Sequence, residues 1–275
     1  MKNGKRFLKS LFLLTAAFVM LMCVPTMAQV TKTMKYKDGF YQAGYTAQKN
    51  ENIYFKLKVT KYGLVDVLGS EISPYGSVYG TRITLVNASH KRRDYYSSVY
   101  VNAKSGSVTY SRYAVSPGTY YFRIKMSKGY TYKLFADYKC TSNNSGGSSK
   151  SKAVTLSKGK AVTGVISAAS LKGAKWFKFY VPQQGKPVSL KLQVNGGQGE
   201  ITFYLAGPNF KSTQKNTIYP NATQSKSRAI TMWQENVYTK VKTGPKAGWY
   251  YLLVTKNSNN SYKRSNGQFA VKWSY

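Results

Sequence analysis

The stretch GTYYFRIKM, from Gly118 to Met126, returns later in the chain as GWYYLLVTK, from Gly248 to Lys256. Each copy follows a Pro or an Ala, begins with Gly, and then alternates apolar residues with others at period two. This pattern is typical of a strand with one buried face. The predicted core positions are Tyr120, Phe122 and Ile124 in the first copy and Tyr250, Leu252 and Val254 in the second. The recurrence predicts two domains of one kind.

Two earlier strands repeat as well. The segment IYFKLKV aligns with KWFKFYV at an offset of 122 residues between Phe55 and Phe177, and ITL at Ile83 aligns with ITF at Ile201. The offsets differ while the strand order stays the same, as expected when surface loops change length after a duplication. We therefore predict an all-β chain with two tandem jelly-roll-like antiparallel β-sandwich domains, covering residues 36–140 and 153–275.

Residues 141–152, TSNNSGGSSKSK, separate the two predicted domains. The segment is polar, rich in Gly and Ser, and has no apolar periodicity. Such composition is typical of a flexible linker. We predict that 141–152 is one.

Residues 1–28 have the pattern of a secretory signal peptide: a basic start, an apolar run, and small residues before a cleavage point after Ala28. An uncleaved membrane anchor is the alternative, but the run from Leu11 to Val24 is shorter than the roughly 20 residues that a bilayer span needs. Met22 before Cys23 argues against a lipid anchor. We expect a secreted, extracellular protein that does not insert into membranes and that is either released or held at a surface such as the cell wall by binding.

Cysteine usage agrees with export from a bacterium. Cleavage removes Cys23 and leaves Cys140 without an intramolecular disulfide partner. We favour Cys140 as an unpaired Cys at a strand end. A disulfide between two chains and a role as a nucleophile are the alternatives.

The chain is strongly basic: it contains 42 Lys and Arg and only 8 Asp and Glu, which gives a formal net charge of +34. Such a field attracts polyanions in a salt-dependent way. The basic residues are spread along predicted strands, for example at Lys56, Lys125 and Lys191, and no nucleic-acid-binding motif accompanies them. We predict an anionic polysaccharide, teichoic acid or acidic glycan as partner, and no nucleic acid. A purely solubilising role for the charge is the alternative.

One candidate site lies in SHKRRDYYSSVYV, which begins at Ser89. Cationic side chains next to aromatic rings can bind an anionic glycan, because the cations pair with its charges and the rings stack on its sugars. The candidate residues are Lys91, Arg92, Arg93, Tyr95 and Tyr96. The alternative is a solvated hairpin loop with its charges in water.

A second candidate pair is Trp233 and Trp249, and its alternative is packing in the core or at a strand end. Tyr121 and Tyr251 fall on the non-core face of the two repeated strands. Exposed tyrosines suit sugar stacking and adhesive contacts, because a rigid amphipathic ring loses little entropy on binding.

The order LSKGKAVTGVI, WFKFYV, VSLKLQV, ITFYLAGPN, GWYYLLV and QFAVKW resembles the bacterial pre-peptidase C-terminal domain. The resemblance covers residues 153–275 well and 36–138 less closely. It implies a small jelly-roll-like sandwich of the kind found attached to secreted enzymes. Lys175 stands before Trp176 where that family usually has acidic residues, which argues against calcium binding.

Catalytic signals are weak throughout the sequence. The eight acids form no recognisable glycosidase pair, His90 and Asp94 lack a nucleophile-elbow sequence, and ligands for a metal are few. We predict no enzyme activity, no cofactor and no metal. The predicted function is a secreted, non-catalytic protein that binds anionic cell-wall or surface glycans. The alternative is a structural or adhesion protein that binds a protein partner through its sandwich edges.

Overall fold

The computed structural model describes residues 29–94, 100–101, 108–220, 224–235, 238–256 and 264–275. All regular elements of the described residues are β-strands, so the predicted all-β sandwich fold is confirmed. The predicted signal peptide, residues 1–28, lies outside the described residues. Within those residues there is no helix of the length and apolarity that a membrane span requires.

The first half of the chain contributes β1 (Val30–Thr33), β2 (Lys35–Lys37), β3 (Phe40–Thr46), β4 (Glu51–Val59), β5 (Tyr62–Ile72), β6 (Val78–Tyr79), β7 (Ile83–Val86), β8 (Tyr100–Val101), β9 (Val108–Thr109), β10 (Ser111–Val115), β11 (Gly118–Met126) and β12 (Thr131–Thr141). The first sandwich thus begins at Val30, earlier than the predicted boundary at 36. Cys140 lies exposed near the end of β12.

The second half contributes β13 (Val154–Thr155), β14 (Val162–Ile166), β15 (Ala174–Val181), β16 (Val188–Gln198), β17 (Ile201–Ala206), β18 (Gln214–Ile218), β19 (Lys226–Met232), β20 (Gln234–Glu235), β21 (Lys242–Thr243), β22 (Gly248–Lys256) and β23 (Asn266–Ser274).

Among the described residues, each half has two main sheets and one short two-stranded sheet (β8-β9 or β20-β21), and the strand orders of the main sheets correspond. The first sandwich has the orders β1-β4-β11-β7 and β10-β5-β12-β3-β2, and the second has β13-β15-β22-β17-β18 and β14-β23-β16-β19. Connections that pass from one sheet to the other at most steps are typical of jelly rolls. The finer assignment of each half as a jelly roll stays a prediction.

The sandwiches are not antiparallel throughout. The short strands β1 and β13 pair in parallel with β4 and β15. Parallel neighbours need a crossover connection, and strands of the opposite sheet supply it: β2 and β3 between β1 and β4, and β14 between β13 and β15.

The strand register supports the repeat read from the sequence. Val59 pairs with Gly118 and Leu57 with Tyr120, just as Val181 pairs with Gly248 and Phe179 with Tyr250.

The alignment of Ile83 with Ile201 is wrong by two residues. Ile83 pairs with Ile124, whereas the residue that pairs with the equivalent Val254 is Phe203. A shift of two residues keeps side chains on the same face of a strand, so the apolar pattern alone does not reveal it.

Each sandwich encloses its own apolar core. All six predicted core residues of the repeated strands are buried. In both copies the first of these tyrosines also ties down the turn that precedes its strand: Tyr120 Oη donates to the Ser116 carbonyl at 2.8 Å, and Tyr250 Oη donates to the Lys246 carbonyl at 2.9 Å. The turn and the core are therefore fixed together.

Glycine is required at the start of both repeated strands. Gly118 has a φ of 154° and Gly248 a φ of 139°, values that L side chains rarely adopt. A Cβ on Gly248 would also lie 2.8 Å from Pro208 Cγ, whereas the nearest atoms to a Cβ on Gly118 are 4.0 Å away. The two positions share the backbone strain and differ in the steric clash.

We expect Gly248→Ala to lower the free energy of unfolding by about 2–3 kcal/mol and Gly118→Ala by about 1 kcal/mol, because only the first adds a clash to the strained φ. Chemical denaturation of the two variants measures the difference. Equal losses would contradict the steric part of this explanation.

The flexible linker predicted over 141–152 is wrong, because the segment is hydrogen-bonded along the edge of the second sandwich. Gly147 and Trp176 exchange two backbone hydrogen bonds of 2.9 Å, and Ser145 N donates to the Thr163 carbonyl at 2.9 Å. A Cβ on Gly146 would lie 2.7 Å from Lys175 Cβ. The small residues here allow close packing of the backbone, which composition does not distinguish from flexibility.

Buried hydrogen bonds join the two sandwiches. Ala114 N on β10 donates to Asn266 Oδ1 at 2.7 Å, and Ala168 N donates back to the Ala114 carbonyl at 2.8 Å. Ser116 N donates to Ser167 Oγ at 3.0 Å, and Ala168 packs into the core of the first sandwich. Strand β10 and the loop after β14 therefore form a specific interface.

Lys256 lies at this interface and is 5% exposed. Its ammonium group donates to the Ser167 carbonyl at 2.8 Å and to the Ser170 carbonyl. Burial and, secondly, the charge of Arg93 lower the pKa of Lys256 from its ordinary value of 10.5 to about 7. Between about pH 7 and pH 10.5, the folded state therefore binds fewer protons than the unfolded state.

Because the unfolded chain binds the extra proton, the stability of the wild type should rise from pH 7 towards pH 10.5, by up to about 1.4 kcal/mol per pH unit. We expect Lys256→Met, an unbranched side chain of similar length, to lack this contribution. Denaturant titrations of both proteins at pH 6, 8 and 10 measure it. Parallel pH profiles would show that Lys256 keeps its ordinary pKa in the fold.

Candidate functional site

The outer face of the sheet β13-β15-β22-β17-β18 carries a row of large side chains. Trp176 on β15 pairs with Leu253 on β22, which in turn pairs with Tyr204 on β17. The next row contains Lys178, Tyr251 and Ala206. These residues alternate along each strand with core residues, so the period that buries one face places them all on the other.

A cavity of about 370 Å³ opens on this face, a size within the usual range of ligand sites. We call it the outer groove. Its lining residues are Lys150, Trp176, Tyr204, Ala206, Thr213, Tyr251 and Leu253. The ammonium nitrogen of Lys150 lies 4.8 Å from the centre of the Tyr251 ring. The groove therefore has an aromatic floor, a cation at its rim, and no carboxylate in its lining.

The aromatic surface continues beyond the groove to the candidate residue Trp249. Its ring is 43% exposed and meets Tyr180, 49% exposed, edge to face at 5.5 Å. Lys178 Nζ lies 5.1 Å from the Trp249 ring centre. Trp249 precedes the groove residue Tyr251 by two positions, about 7 Å along the strand. It thus extends the same face.

The other candidate tryptophan, Trp233, is half-buried after β19. Lys242 Nζ lies 4.4 Å from its ring centre, and its carbonyl accepts a hydrogen bond from Asn209 Nδ2 at 3.3 Å. Among the contacts of the described residues, none joins the Trp233 ring to that of Trp249. The two predicted partners belong to separate aromatic groups.

The predicted basic cluster does not form one surface. Lys91 is exposed, but Arg92 Nε donates to Asp94 Oδ1 at 2.5 Å, and Asp94 is fully buried. The second Asp94 oxygen accepts a hydrogen bond from Leu85 N at 3.0 Å. Arg93 is half-buried and its Nε is shielded from solvent. Tyr95 and Tyr96 lie outside the described residues.

The equivalent face of the first sandwich is covered by the chain itself. The His90 ring stacks on Tyr54 with a centre-to-centre distance of 4.1 Å and meets Tyr121 edge to face at 6.5 Å. Tyr54 is 3% exposed. The outer groove of the second sandwich has no such cover among the described residues.

Sequence reasoning placed Tyr251 on the non-core face, where the structure has it, and named Trp249 as a binding candidate, but missed Trp176, Tyr204 and Lys150. The alternation in KWFKFYV assigns Trp176 and Tyr180 to the face opposite Phe177 and Phe179, so that signal was present in the sequence. Lys150 approaches Tyr251 only through the path of the segment before β13, which no periodicity predicts.

We expect Arg92→Ala to lower the free energy of unfolding by about 2–4 kcal/mol, because it leaves the buried Asp94 carboxylate without its cation. Lys91→Ala, at an exposed position of the same loop, should change it by less than about 0.5 kcal/mol. Urea denaturation of both variants provides the comparison. If both were neutral, Arg92 would be free to serve as a surface cation instead.

No family model and no curated protein matches this chain. Solved structures show weak similarity. One is a cycloisomaltooligosaccharide glucanotransferase from Paenibacillus sp. complexed with cycloisomaltoheptaose: 8% identity, TM-score 0.22, covering 82% of this chain and 47% of that protein. Another is the insecticidal delta-endotoxin Cry8Ea1 from Bacillus thuringiensis: 6% identity, TM-score 0.24, covering 82% and 54%.

A third is an isomalto-dextranase from Arthrobacter globiformis T6 complexed with panose: 10% identity, TM-score 0.23, covering 87% of this chain and 35% of the enzyme. The chain spans about half the length of the first two proteins and about a third of the third. Likenesses with TM-scores this low carry no inference about function.

Proposed function

We propose that this chain is a secreted, non-catalytic glycan-binding protein whose second sandwich binds an acidic polysaccharide in the outer groove. The observation that carries the proposal is the open aromatic groove on a sheet face, with lysines at its edge and no acid in its lining. The signal-like pattern of residues 1–28 supports secretion.

The floor of the groove favours a ligand with rings. Trp176, Tyr204 and Tyr251 offer flat apolar surfaces, and each also has a polar edge that can bond to hydroxyl groups. The apolar face of a pyranose ring fits such a floor. The linear alditol phosphate backbone of a teichoic acid offers no ring, so the groove favours a polysaccharide over that partner.

The rim favours a ligand with negative charge. Lys150 lies over the Tyr251 ring and Lys178 over the Trp249 ring, so ammonium groups flank the aromatic surface along its length. Charge-assisted hydrogen bonds from these groups to sugar carboxylates would add both affinity and selectivity. The net charge of +34 adds long-range attraction for a polyanion.

The lining supports binding without catalysis. The described lining residues include neither the pair of carboxylates that most glycoside hydrolases use nor an imidazole or a thiol. Glu200, which precedes β17, is buried and accepts a hydrogen bond from Thr202 Oγ1 at 3.1 Å. The resemblance to the pre-peptidase C-terminal domain remains a prediction that agrees with such an accessory module.

We expect Trp176→Ala and Tyr251→Ala each to weaken binding of an oligogalacturonate by about 5- to 150-fold, since the loss of one stacking aromatic side chain costs about 1–3 kcal/mol. Isothermal titration calorimetry measures the affinity. Tyr75→Ala is the matched control, because Tyr75 is 95% exposed on the first sandwich, and it should bind like the wild type.

Lys150→Gln and Lys178→Gln should weaken binding of the oligogalacturonate while leaving that of an uncharged galactooligosaccharide of the same length unchanged. Wild-type protein that retains neither oligosaccharide would overturn the proposal. Retention of a protein partner at high salt would then favour the adhesion alternative.

A further inference from the structure

The outer faces of the two sandwiches correspond residue by residue. Tyr54 pairs with Arg123, which pairs with Thr84, in the row equivalent to Trp176, Leu253 and Tyr204. In the next row, Lys56 and Tyr121 take the places of Lys178 and Tyr251. The first sandwich therefore has two aromatic rings and flanking cations where the second has its groove.

One ring already occupies this position. His90 lies nearly parallel to Tyr54, with 27° between the ring planes and 4.1 Å between their centres, and it stands at 88° to Tyr121. A flat ring is thus stacked on one aromatic side chain and bordered by another. This is the arrangement that the outer groove would give to a bound sugar ring.

The loop that carries His90 is held in a strained conformation. His90 has a φ of 57°, in the left-handed region that costs free energy for a residue with a side chain. His90 N donates to the Asn87 carbonyl at 2.9 Å, and Lys91 N donates to Asn87 Oδ1 at 2.8 Å. Buried Asp94 fixes the far end through Leu85 N. The loop therefore holds the ring in place at a backbone cost.

We propose that the first sandwich carries a second ring-binding site and that His90 fills it as an internal ligand. This inference rests on the proposed function and takes its ligand class from it. The ligand is a pyranose ring of an acidic glycan, stacked on Tyr54, with Lys56 and Arg123 as the neighbouring cations. The second sandwich binds such a ring in its open groove, and the first is closed to it while His90 is in place.

The test removes the ring and keeps the turn. His90→Gly accepts a φ of 57° without strain and leaves the space above Tyr54 open. Imidazole should then raise the melting temperature of His90→Gly by about 2 °C or more while leaving that of the wild type unchanged. The double variant His90→Gly/Tyr54→Leu, which lacks the stacking partner, should not respond.

His90→Asn, which also tolerates this φ, repeats the experiment if the glycine variant does not fold. Absence of an imidazole response in the folded variant, or an equal response in the double variant, overturns the ring-binding site. This readout needs no glycan, so it stands even if the proposed function fails.

The ligand class is tested by calorimetry with oligogalacturonate. The wild type should bind at one site and His90→Gly at two, and in His90→Gly/Trp176→Ala the site in the outer groove should bind more weakly while the new site keeps its affinity. If imidazole stabilises His90→Gly but this variant still binds only one oligogalacturonate, the assignment of a glycan to this site is overturned. A wild type that binds none would instead overturn the proposed function.

Discussion

Strand β22 lies between β15 and β17 in the second sandwich, and its two faces meet different surroundings. Tyr250, Leu252 and Val254 enter the core and are fully buried, while Tyr251 and Leu253 point outwards and line the groove. The pleat of a strand forces this division, since successive side chains alternate between faces. Burial of one face thus determines which side chains the other face presents, and the packed core fixes where the groove residues lie.

The same constraint applies to β11 in the first sandwich. Strand order and register agree between the halves, down to the tyrosine that bonds back to the turn before its strand. The outer faces differ. His90 covers Tyr54 in the first sandwich, whereas Trp176 borders an open groove in the second. The two halves therefore share a core and differ in what lies on the outer face.

The docking of the sandwiches depends on few residues, each distant in sequence from its partner. Asn266 accepts the hydrogen bond of Ala114 N, and Lys256 bonds the loop that supplies Ser167 and Ala168 to the first sandwich. Because an unmade buried hydrogen bond costs about 1–3 kcal/mol, these contacts favour a single arrangement of the two domains. The outer groove is therefore held in a fixed position relative to the first sandwich.

Local patterns predicted the parts of this structure that depend on local physics. The alternation of apolar residues identified Tyr120 and Tyr250 as core and Tyr121 and Tyr251 as outer residues, because the period of a strand is a property of the backbone. The pairing of Arg92 with Asp94 joins residues two apart but depends on the burial of Asp94 beside Leu85, and the packing of Gly146 against Lys175 and the approach of Lys150 to Tyr251 depend on how distant segments meet. For this reason, composition alone suggested a cationic surface around Arg92 and a flexible linker around Gly146.

The indole resonances of the chain's 4 tryptophans offer the most direct test of the central claim, that the outer groove binds an acidic glycan. Trp273 is a built-in reference, since it is 4% exposed and its Nε1 donates to the Leu156 carbonyl at 3.0 Å. In a nuclear magnetic resonance titration with oligogalacturonate, we predict that the Trp176 signal shifts while those of Trp233 and Trp273 stay in place. A Trp176 signal that does not move at saturating ligand would contradict the account.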